Sequence, residues 1–125
     1  MNQVFTEKAP PTVGPYSQAI VSGGLVFASG QLGLNDRGAL AEGIAGQTEQ
    51  AIRNLSAVLS AAGSDLSLAV KTTCFLSDIG DFSVFNEVYG KYFPQKPARS
   101  LIQAAALPKG ALVEIEAIAE IKKED

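Results

Sequence analysis

The sequence predicts an α+β fold in which two helices pack on one face of a mixed β-sheet. Three observations predict this class. Two long stretches repeat apolar residues with a helical period, shorter stretches alternate as strands do, and the elements follow the order hairpin, helix, strand, helix and two strands. Because no internal repeat or linker divides the 125 residues, we expect a single domain over residues 1–125.

The first predicted element is a β-hairpin. Residues 16–21 and 25–29 are short β-type runs, and the Gly23-Gly24 pair between them is typical of a tight hairpin turn. The hairpin lies inside residues 9–35, which carry no formal charge. Such a hairpin is most simply buried on both faces, by the core on one side and by another surface on the other. The alternative is chance, because charge is sparse throughout the chain.

The first predicted helix covers residues 44–62. Its apolar side chains fall on one stripe, as a helix packed against a sheet requires. The stripe consists of Ile44, Thr48, Ile52, Leu55, Leu59 and Ala62. Gly63 stands just past this stretch, where a helix commonly ends in a left-handed residue.

The next element is a strand at residues 69–77, whose side chains alternate between two faces. The two sets are Val70, Thr72, Cys74 and Leu76 on one face, and Lys71, Thr73 and Phe75 on the other. We therefore predict that Cys74 is a small core residue. The alternative is a reactive thiol, but no neighbour in the sequence would lower its pKa.

The second helix is predicted at residues 82–93, with Asp78 or Asp81 as its cap and Pro94 as its stop. Its aromatic residues recur at helical spacing, a pattern typical of core packing. They are Phe82, Phe85, Tyr89 and Tyr92. The chain continues as strands at 99–106 and 112–121, separated by a turn at 107–110, and ends in a charged tail at 122–125 that we expect to be solvated.

The composition excludes several kinds of chemistry. The chain has no histidine and one cysteine, so it lacks histidine triads, an internal disulfide and the usual ligands of a zinc site. A net charge of −3 and a pI near 4.9 argue against a nucleic-acid partner. With no secretory signal and no apolar run long enough to span a membrane, we expect a cytoplasmic protein without a membrane partner.

Arg99 is the first candidate for a functional residue. It follows Pro97 at the mouth of an apolar strand, where a guanidinium held by rigid backbone can clamp a carboxylate or a phosphate. A surface arginine is the alternative. Glu114, Glu116 and Glu120 lie on the same face of the last predicted strand. That face is either functional or simply exposed to solvent.

The relation between Arg99 and Glu114 depends on how the last two strands pair. If residues 107–110 closed a tight hairpin, Arg99 would lie opposite Ile118, about 13 Å along the strand from Glu114. A single site containing both residues therefore requires a different strand pairing or a second subunit.

Five sequence blocks stand in order along nearly the whole chain. They are Gly14-Pro15-Tyr16-Ser17-Gln18-Ala19; Ala28-Ser29-Gly30-Gln31; Asn86 with Tyr89; Pro97-Ala98-Arg99-Ser100; and Leu107-Pro108-Lys109-Gly110 with Val113-Glu114-Ile115-Glu116-Ala117-Ile118-Ala119. In these blocks the chain resembles the reactive intermediate deaminase (RidA, or YjgF-like) family.

The resemblance implies a chorismate-mutase-like α+β fold that assembles as a homotrimer with three clefts between subunits. It also implies hydrolysis of short-lived 2-enamine and 2-imine acids, such as 2-iminobutanoate and 2-iminopropanoate, to 2-keto acids and ammonia, without a cofactor or a metal. An imine is already electrophilic, so its hydrolysis needs a carboxylate anchor, a positioned water and one proton-transfer group rather than a nucleophilic triad.

The resemblance also assigns roles to individual residues. Arg99 would bind the substrate carboxylate, and Glu114 would hold the attacking water and assist proton transfer. The residues that would line the cleft are Tyr16, Ser29, Gly30 and Asn86. Leu101 stands where the family often has Cys or Thr, so its backbone N–H can serve as a contact but its side chain cannot.

Two other functions remain as alternatives. The same cleft in a non-catalytic protein would bind or sense a keto acid or another small carboxylate, and the departure at Leu101 motivates this alternative. A ribonuclease or translation inhibitor is a role also attributed to the family, but the acidic pI and the absence of histidine argue against it.

Overall fold

The computed structural model describes residues 1–123 and places two helices on one side of a six-stranded sheet. The strands are β1 (Asn2–Val4), β2 (Ala19–Ser22), β3 (Leu25–Leu32), β4 (Ala69–Leu76), β5 (Ala98–Gln103) and β6 (Val113–Glu120), and the helices are α1 (Gly43–Ala61) and α2 (Phe82–Tyr92). The predicted α+β class and both predicted helices are confirmed. Strand β1 was not predicted, because three residues are too few to show a period.

The order of strands in the sheet is β1-β2-β3-β6-β4-β5. Strands β4 and β5 are parallel, and the connection between them contains α2, as a parallel pair requires. The other neighbours are antiparallel. Although β5 and β6 are consecutive in the chain, β4 lies between them, so the turn at Pro108–Gly110 does not close a hairpin.

The hydrophobic core lies between the helices and one face of the sheet. Helix α1 buries most of its predicted stripe, including Ile52, Leu55 and Leu59, against inward-facing residues of β3 and β6. The opposite face of the sheet carries no helix among residues 1–123, and Phe27 and Ile102 on that face are 43% and 53% exposed. The uncharged hairpin is therefore buried on one face and uncovered on the other within a single chain.

Glycines end α1 and form the hairpin turn as predicted. Gly63 has φ +85°, its N–H donates to the carbonyl of Ser60, and the N–H of Ser64 donates to the carbonyl of Leu59. These two bonds make a Schellman motif, which only a residue tolerant of left-handed backbone completes without strain. Gly23 and Gly24 have φ of +60° and +79°, as a two-residue hairpin turn demands.

Several details differ from the sequence predictions, and the first strand of the hairpin begins at Ala19 rather than at residue 16. Val70 is 46% exposed rather than buried, because the register of β4 against β6 shifts between Ala69 and Lys71 and turns the side chain outward. Strand β5 ends at Gln103, three residues before the predicted end. Of the two predicted caps of α2, Asp81 stands at the N-cap position without a side-chain capping bond, whereas the carboxylate of Asp78 accepts a hydrogen bond from the N–H of Gly80 and caps a short 3₁₀ turn.

Two predictions concern the chain's end and its relation to membranes. Lys122 and Lys123 are exposed, as expected for a solvated tail, and residues 124 and 125 of that tail lie outside the described residues. Within residues 1–123, no helix combines the length and apolar character needed to cross a membrane.

Cys74 is a core residue, as predicted, and its chemistry gives a first testable prediction. Its side chain is fully buried, and burial raises the pKa of the thiol to about 11. At pH 8, about one thiol in a thousand is then ionised. We expect iodoacetamide to leave the native protein unlabelled and to label one thiol per chain in urea, as read by mass spectrometry. Equal labelling rates in both states would contradict this placement.

Candidate functional site

Arg99 lies on the helix side of β5, held between an amide and aromatic rings of α2. Its Nη1 donates a hydrogen bond to Oδ1 of Asn86 over 2.8 Å, and its guanidinium carbon lies 4.9 Å from the centre of the Tyr89 ring. The rings of Phe82 and Phe85 are each 5.9 Å away. We call this group the aromatic cradle. Cation–π contacts of this kind orient the guanidinium and leave its other N–H groups free to bind an anion.

A buried hydrogen bond to the sheet fixes the position of the Tyr89 ring. Its hydroxyl lies 2.7 Å from the hydroxyl of Thr72 on β4, and burial raises the pKa of Tyr89. The predicted aromatic stripe is thus core packing at Phe85 and Tyr89, but it also supports Arg99. The signal for this second role was present in the sequence, because Phe82, Phe85, Asn86 and Tyr89 share one helix face.

Leu101 has the same parity as Arg99, and its side chain packs against the core. The N–H of Ala104 donates to the carbonyl of Leu76 on β4, and amides alternate in direction along a strand. The N–H of Leu101 therefore points to the edge of the sheet that no strand among residues 1–123 covers. This backbone donor and the Arg99 guanidinium border the same edge.

The first cavity is a basic pocket of about 320 Å³, which we call the arginine pocket. It opens between the end of α2 and the start of β5. Its lining residues are Asn86, Tyr89, Gly90, Phe93, Pro94, Lys96, Pro97 and Arg99. Lys96 was not predicted from the sequence, because nothing in the local pattern shows where its side chain lies.

The second cavity has a volume of about 390 Å³ and contains one carboxylate, so we call it the glutamate pocket. Its lining includes Glu114, Gly30 and Tyr16, together with Pro108 and Lys109 of the turn before β6. A Cβ atom built on Gly30 would lie 2.8 Å from Cδ of Glu114. Any larger residue would therefore displace the carboxylate, which explains why a glycine stands at this position.

A β-bulge positions Gly30 beside Glu114. Ala28 pairs with Ala117 and Gln31 pairs with Ile115, so two residues of β3 stand opposite one residue of β6. The first of these two, Ser29, donates its hydroxyl to the carbonyl of Ser17 over 2.7 Å. The hydroxyl of Ser29 thus holds the loop that carries Tyr16.

The buried side chain of Gln18 holds the earlier part of the same loop, a role that was not predicted from the sequence. The side chain accepts a hydrogen bond from the N–H of Thr6 and donates to the carbonyls of Thr6 and Pro10. These bonds hold the proline-containing wall of the glutamate pocket against β2.

Glu114 is half-buried, and its pKa is raised above the ordinary value for a glutamate. Burial is the larger cause, and the neighbouring charge of Glu116 adds to it. A raised pKa moves a carboxylate towards the pH at which it both accepts and returns a proton, as general acid–base chemistry requires. Within residues 1–123, no cluster of three or more cysteine, aspartate or glutamate side chains is placed to hold a metal ion.

The structure does not bring Arg99 and Glu114 together within one chain. Arg99 pairs with Thr72 of β4, whereas Glu114 pairs with Phe75 of β4, three residues further along. The offset is about 10 Å along the strands, and two inter-strand spacings separate β5 from β6. Because three is an odd number of residues, the two side chains also point to opposite faces of the sheet.

The fold and its pockets define an α+β protein with the basic arginine pocket on the helix side of one sheet edge and the glutamate pocket on the other face. The model of the family described as Endoribonuclease L-PSP matches residues 6–121. The chain belongs to this family, which is the RidA/YjgF family.

Relatives in this family carry different functional names. Reactive Intermediate Deaminase A of Arabidopsis thaliana, a chloroplastic protein, is 51% identical over 94% of this chain and 65% of its own length. AldR of Lactococcus lactis, named as a candidate regulator, is 48% identical over 98% of this chain and 99% of its own. The crystal structure of RidA from the Antarctic bacterium Psychrobacter sp. PAMC 21119 is 45% identical, with a TM-score of 0.93 over 97% of this chain and all of that chain.

The buried contact between Tyr89 and Thr72 gives a second prediction. Tyr89→Phe leaves the Thr72 hydroxyl with only the Cys74 thiol, 3.9 Å away, so we expect the free energy of unfolding to fall by about 1–3 kcal/mol. Thr72→Val should have a similar effect, and the double variant should lose less than the sum by about 0.5 kcal/mol or more. Urea unfolding at one protein concentration measures all three.

A matched control is available on the same helix. The hydroxyl of Tyr92 donates to Glu49 over 2.9 Å at a partly exposed position, so Tyr92→Phe should lower the free energy of unfolding by less than about 1 kcal/mol. Strictly additive effects of Tyr89→Phe and Thr72→Val would show that the two hydroxyl groups do not act as a pair.

Proposed function

We propose that this protein is a cytoplasmic deaminase that hydrolyses 2-enamine and 2-imine acids, such as 2-iminobutanoate and 2-iminopropanoate, to 2-keto acids and ammonia. The observation that carries the proposal is the Arg99 guanidinium, which the aromatic cradle orients at the sheet edge to which the N–H of Leu101 points. Together they offer several donors to one carboxylate, the group that all these substrates share. The deaminase name of the Arabidopsis relative supports the same activity.

The reaction needs few groups, and the chain offers them. A water held by Glu114 attacks C2 of the imine, and its proton passes to the Glu114 carboxylate while the imine nitrogen takes up a proton. The imine nitrogen takes its proton from solvent. Protonated Glu114 then returns its proton to the amino group of the resulting carbinolamine, which leaves as ammonia while the hydroxyl loses a proton to solvent and the C2 carbonyl forms. Imine and water thus yield keto acid and ammonia, with no oxidation or reduction. A positioned carboxylate of this kind contributes about 10²–10⁴-fold to such a reaction.

We further propose that the active sites form between the subunits of a homotrimer. Arg99 and Glu114 lie on opposite faces of the sheet, so a complete site requires the arginine pocket of one chain and the glutamate pocket of another. The uncovered sheet face supports such an assembly, because it exposes Phe27 and Ile102 and carries part of the uncharged segment at residues 9–35. Three such contacts around a ring give three clefts.

Non-catalytic binding is the second candidate function, favoured by the name of the lactococcal relative. The two functions require the same arginine pocket and differ in what Glu114 does. The endoribonuclease function that the family's description names has weaker support in this chain, because the net charge is −3 and no histidine is present to act as a base.

A third prediction distinguishes the role of Arg99 from the role of Glu114. With 2-iminobutanoate generated in situ, Arg99→Ala should raise KM strongly because the carboxylate loses its clamp. Glu114→Gln should lower kcat by about 10²–10⁴-fold with a smaller change in KM. Stopped-flow loss of the imine gives both constants. Arg37→Ala and Glu120→Gln are the matched controls, because both side chains are exposed and neither residue lines the two pockets.

The possible outcomes distinguish the candidate functions. If wild type and Arg99→Ala clear the imine at the same rate, the deaminase proposal is wrong. If wild type binds a 2-keto acid in calorimetry but does not accelerate imine loss, the protein is a binder or sensor.

A fourth prediction tests the shared site. At a substrate concentration far below the raised KM, Arg99→Ala and Glu114→Gln are each expected to be nearly inactive. Chains unfolded and refolded together should regain about a quarter of wild-type activity, because one cleft in four combines an intact Arg99 with an intact Glu114. Sedimentation should give three times 13.0 kDa. No recovery in mixed trimers would place the site within one chain.

A further inference from the structure

Lys96 stands in a strained position at the rim of the arginine pocket. Its φ is +56°, which is left-handed, and it directly precedes Pro97, a context that disfavours helical backbone of either hand. A lysine gains nothing from this conformation, which glycine or asparagine adopts more readily. Strained residues persist when the surrounding structure holds them, and they concentrate at functional sites.

The surrounding structure does hold this residue. The N–H of Lys96 donates to the carbonyl of Phe93 over 3.1 Å and closes a turn at the end of α2. The side-chain amide of the preceding Gln95 donates to the carbonyl of Leu66 over 2.8 Å and ties that turn to the segment before β4. Since Pro97 is rigid as well, the Lys96 side chain starts from a fixed backbone position.

Lys96 and Arg99 are the two charged residues in the lining of the arginine pocket, and both are cations. The other lining residues among those described are aromatic, aliphatic or uncharged, so no carboxylate of this pocket neutralises either cation. A local excess of positive charge in a chain with a net charge of −3 favours an anion with more than one negative group.

We propose that Lys96 binds a second carboxylate, so that this site prefers 2-imino and 2-keto dicarboxylic acids to the corresponding monocarboxylic acids. The proposal rests on the function proposed above and narrows its substrate class. Arg99 binds the carboxylate next to the imine carbon, and Lys96 binds the carboxylate at the end of the substrate side chain. Both residues line the same pocket, so one small ligand in it borders both cations. A pocket of about 320 Å³ has room for such an acid.

The expected preference is moderate because Lys96 is exposed in the chain. Exposed ion pairs change an affinity by about two- to fivefold, and salt weakens them. The preference for dicarboxylic acids should therefore decrease at high ionic strength. The contribution of the hydrogen bonds from Arg99 and Leu101 should decrease less. This salt dependence separates the Lys96 contribution from that of the clamp.

The test compares two keto acids of equal chain length, 2-oxoglutarate and 2-oxopentanoate, which differ by the terminal carboxylate. Isothermal calorimetry on the wild-type protein should show about two- to fivefold tighter binding of 2-oxoglutarate at low salt. Lys96→Gln should abolish this ratio, and Lys96→Arg should keep it. Lys91→Gln, which removes an equal charge from an exposed position of α2 outside the pocket lining, should leave it unchanged.

Each result separates the two proposals. Equal affinity of the wild type for both acids, or an unchanged ratio in Lys96→Gln, overturns the role of Lys96 and leaves the deaminase proposal standing. Absence of binding and of imine turnover with either acid class overturns both proposals. Because the ratio is an internal reference within each variant, a partly unfolded preparation does not mimic the loss of preference.

Discussion

The position of β4 between β5 and β6 is the constraint on which the rest of the structure depends. It places Arg99 and Glu114 three residues out of register and on opposite faces of the sheet. Within one chain the two ions therefore do not meet, and neither is neutralised by the other. An arginine and a glutamate in contact would form an ion pair that a ligand must break. Separation on two faces keeps both groups free of this ion pair within one chain.

The aromatic cradle gives Arg99 a defined direction before any ligand binds. A free arginine side chain carries about 2 kcal/mol of rotamer entropy, which a binding event would otherwise have to overcome. Folding immobilises the guanidinium over Tyr89 and against Asn86 instead, and Thr72 fixes the tyrosine in turn. Preorganisation of this kind strengthens binding without adding a contact to the ligand. The aromatic residues of α2 therefore serve core packing and site geometry together.

Local patterns in the sequence predicted the local structure, and the non-local features escaped them. Helical period, Gly63 and the Gly23-Gly24 turn located α1 and the first hairpin, because each depends on neighbouring residues. Strand order depends on contacts between distant segments, so the position of β4 between β5 and β6 could not be predicted from the local pattern. Arg99 and Glu114 emerged as candidates from residue type and family resemblance. The left-handed backbone of Lys96 leaves no mark in the sequence.

The raised pKa of Glu114 links its chemistry to assembly. Because its folded-state pKa lies above the unfolded value, the associated stability is present below the ordinary glutamate pKa and is lost as the pH rises through the raised value. At neutral pH the isolated fold thus holds an unfavourable charge. In the proposed trimer the partner subunit's Arg99 would offset it and lower that pKa again. A substrate carboxylate on the arginine would remove this offset, so Glu114 would gain proton affinity at the proposed step in which it takes a proton from water.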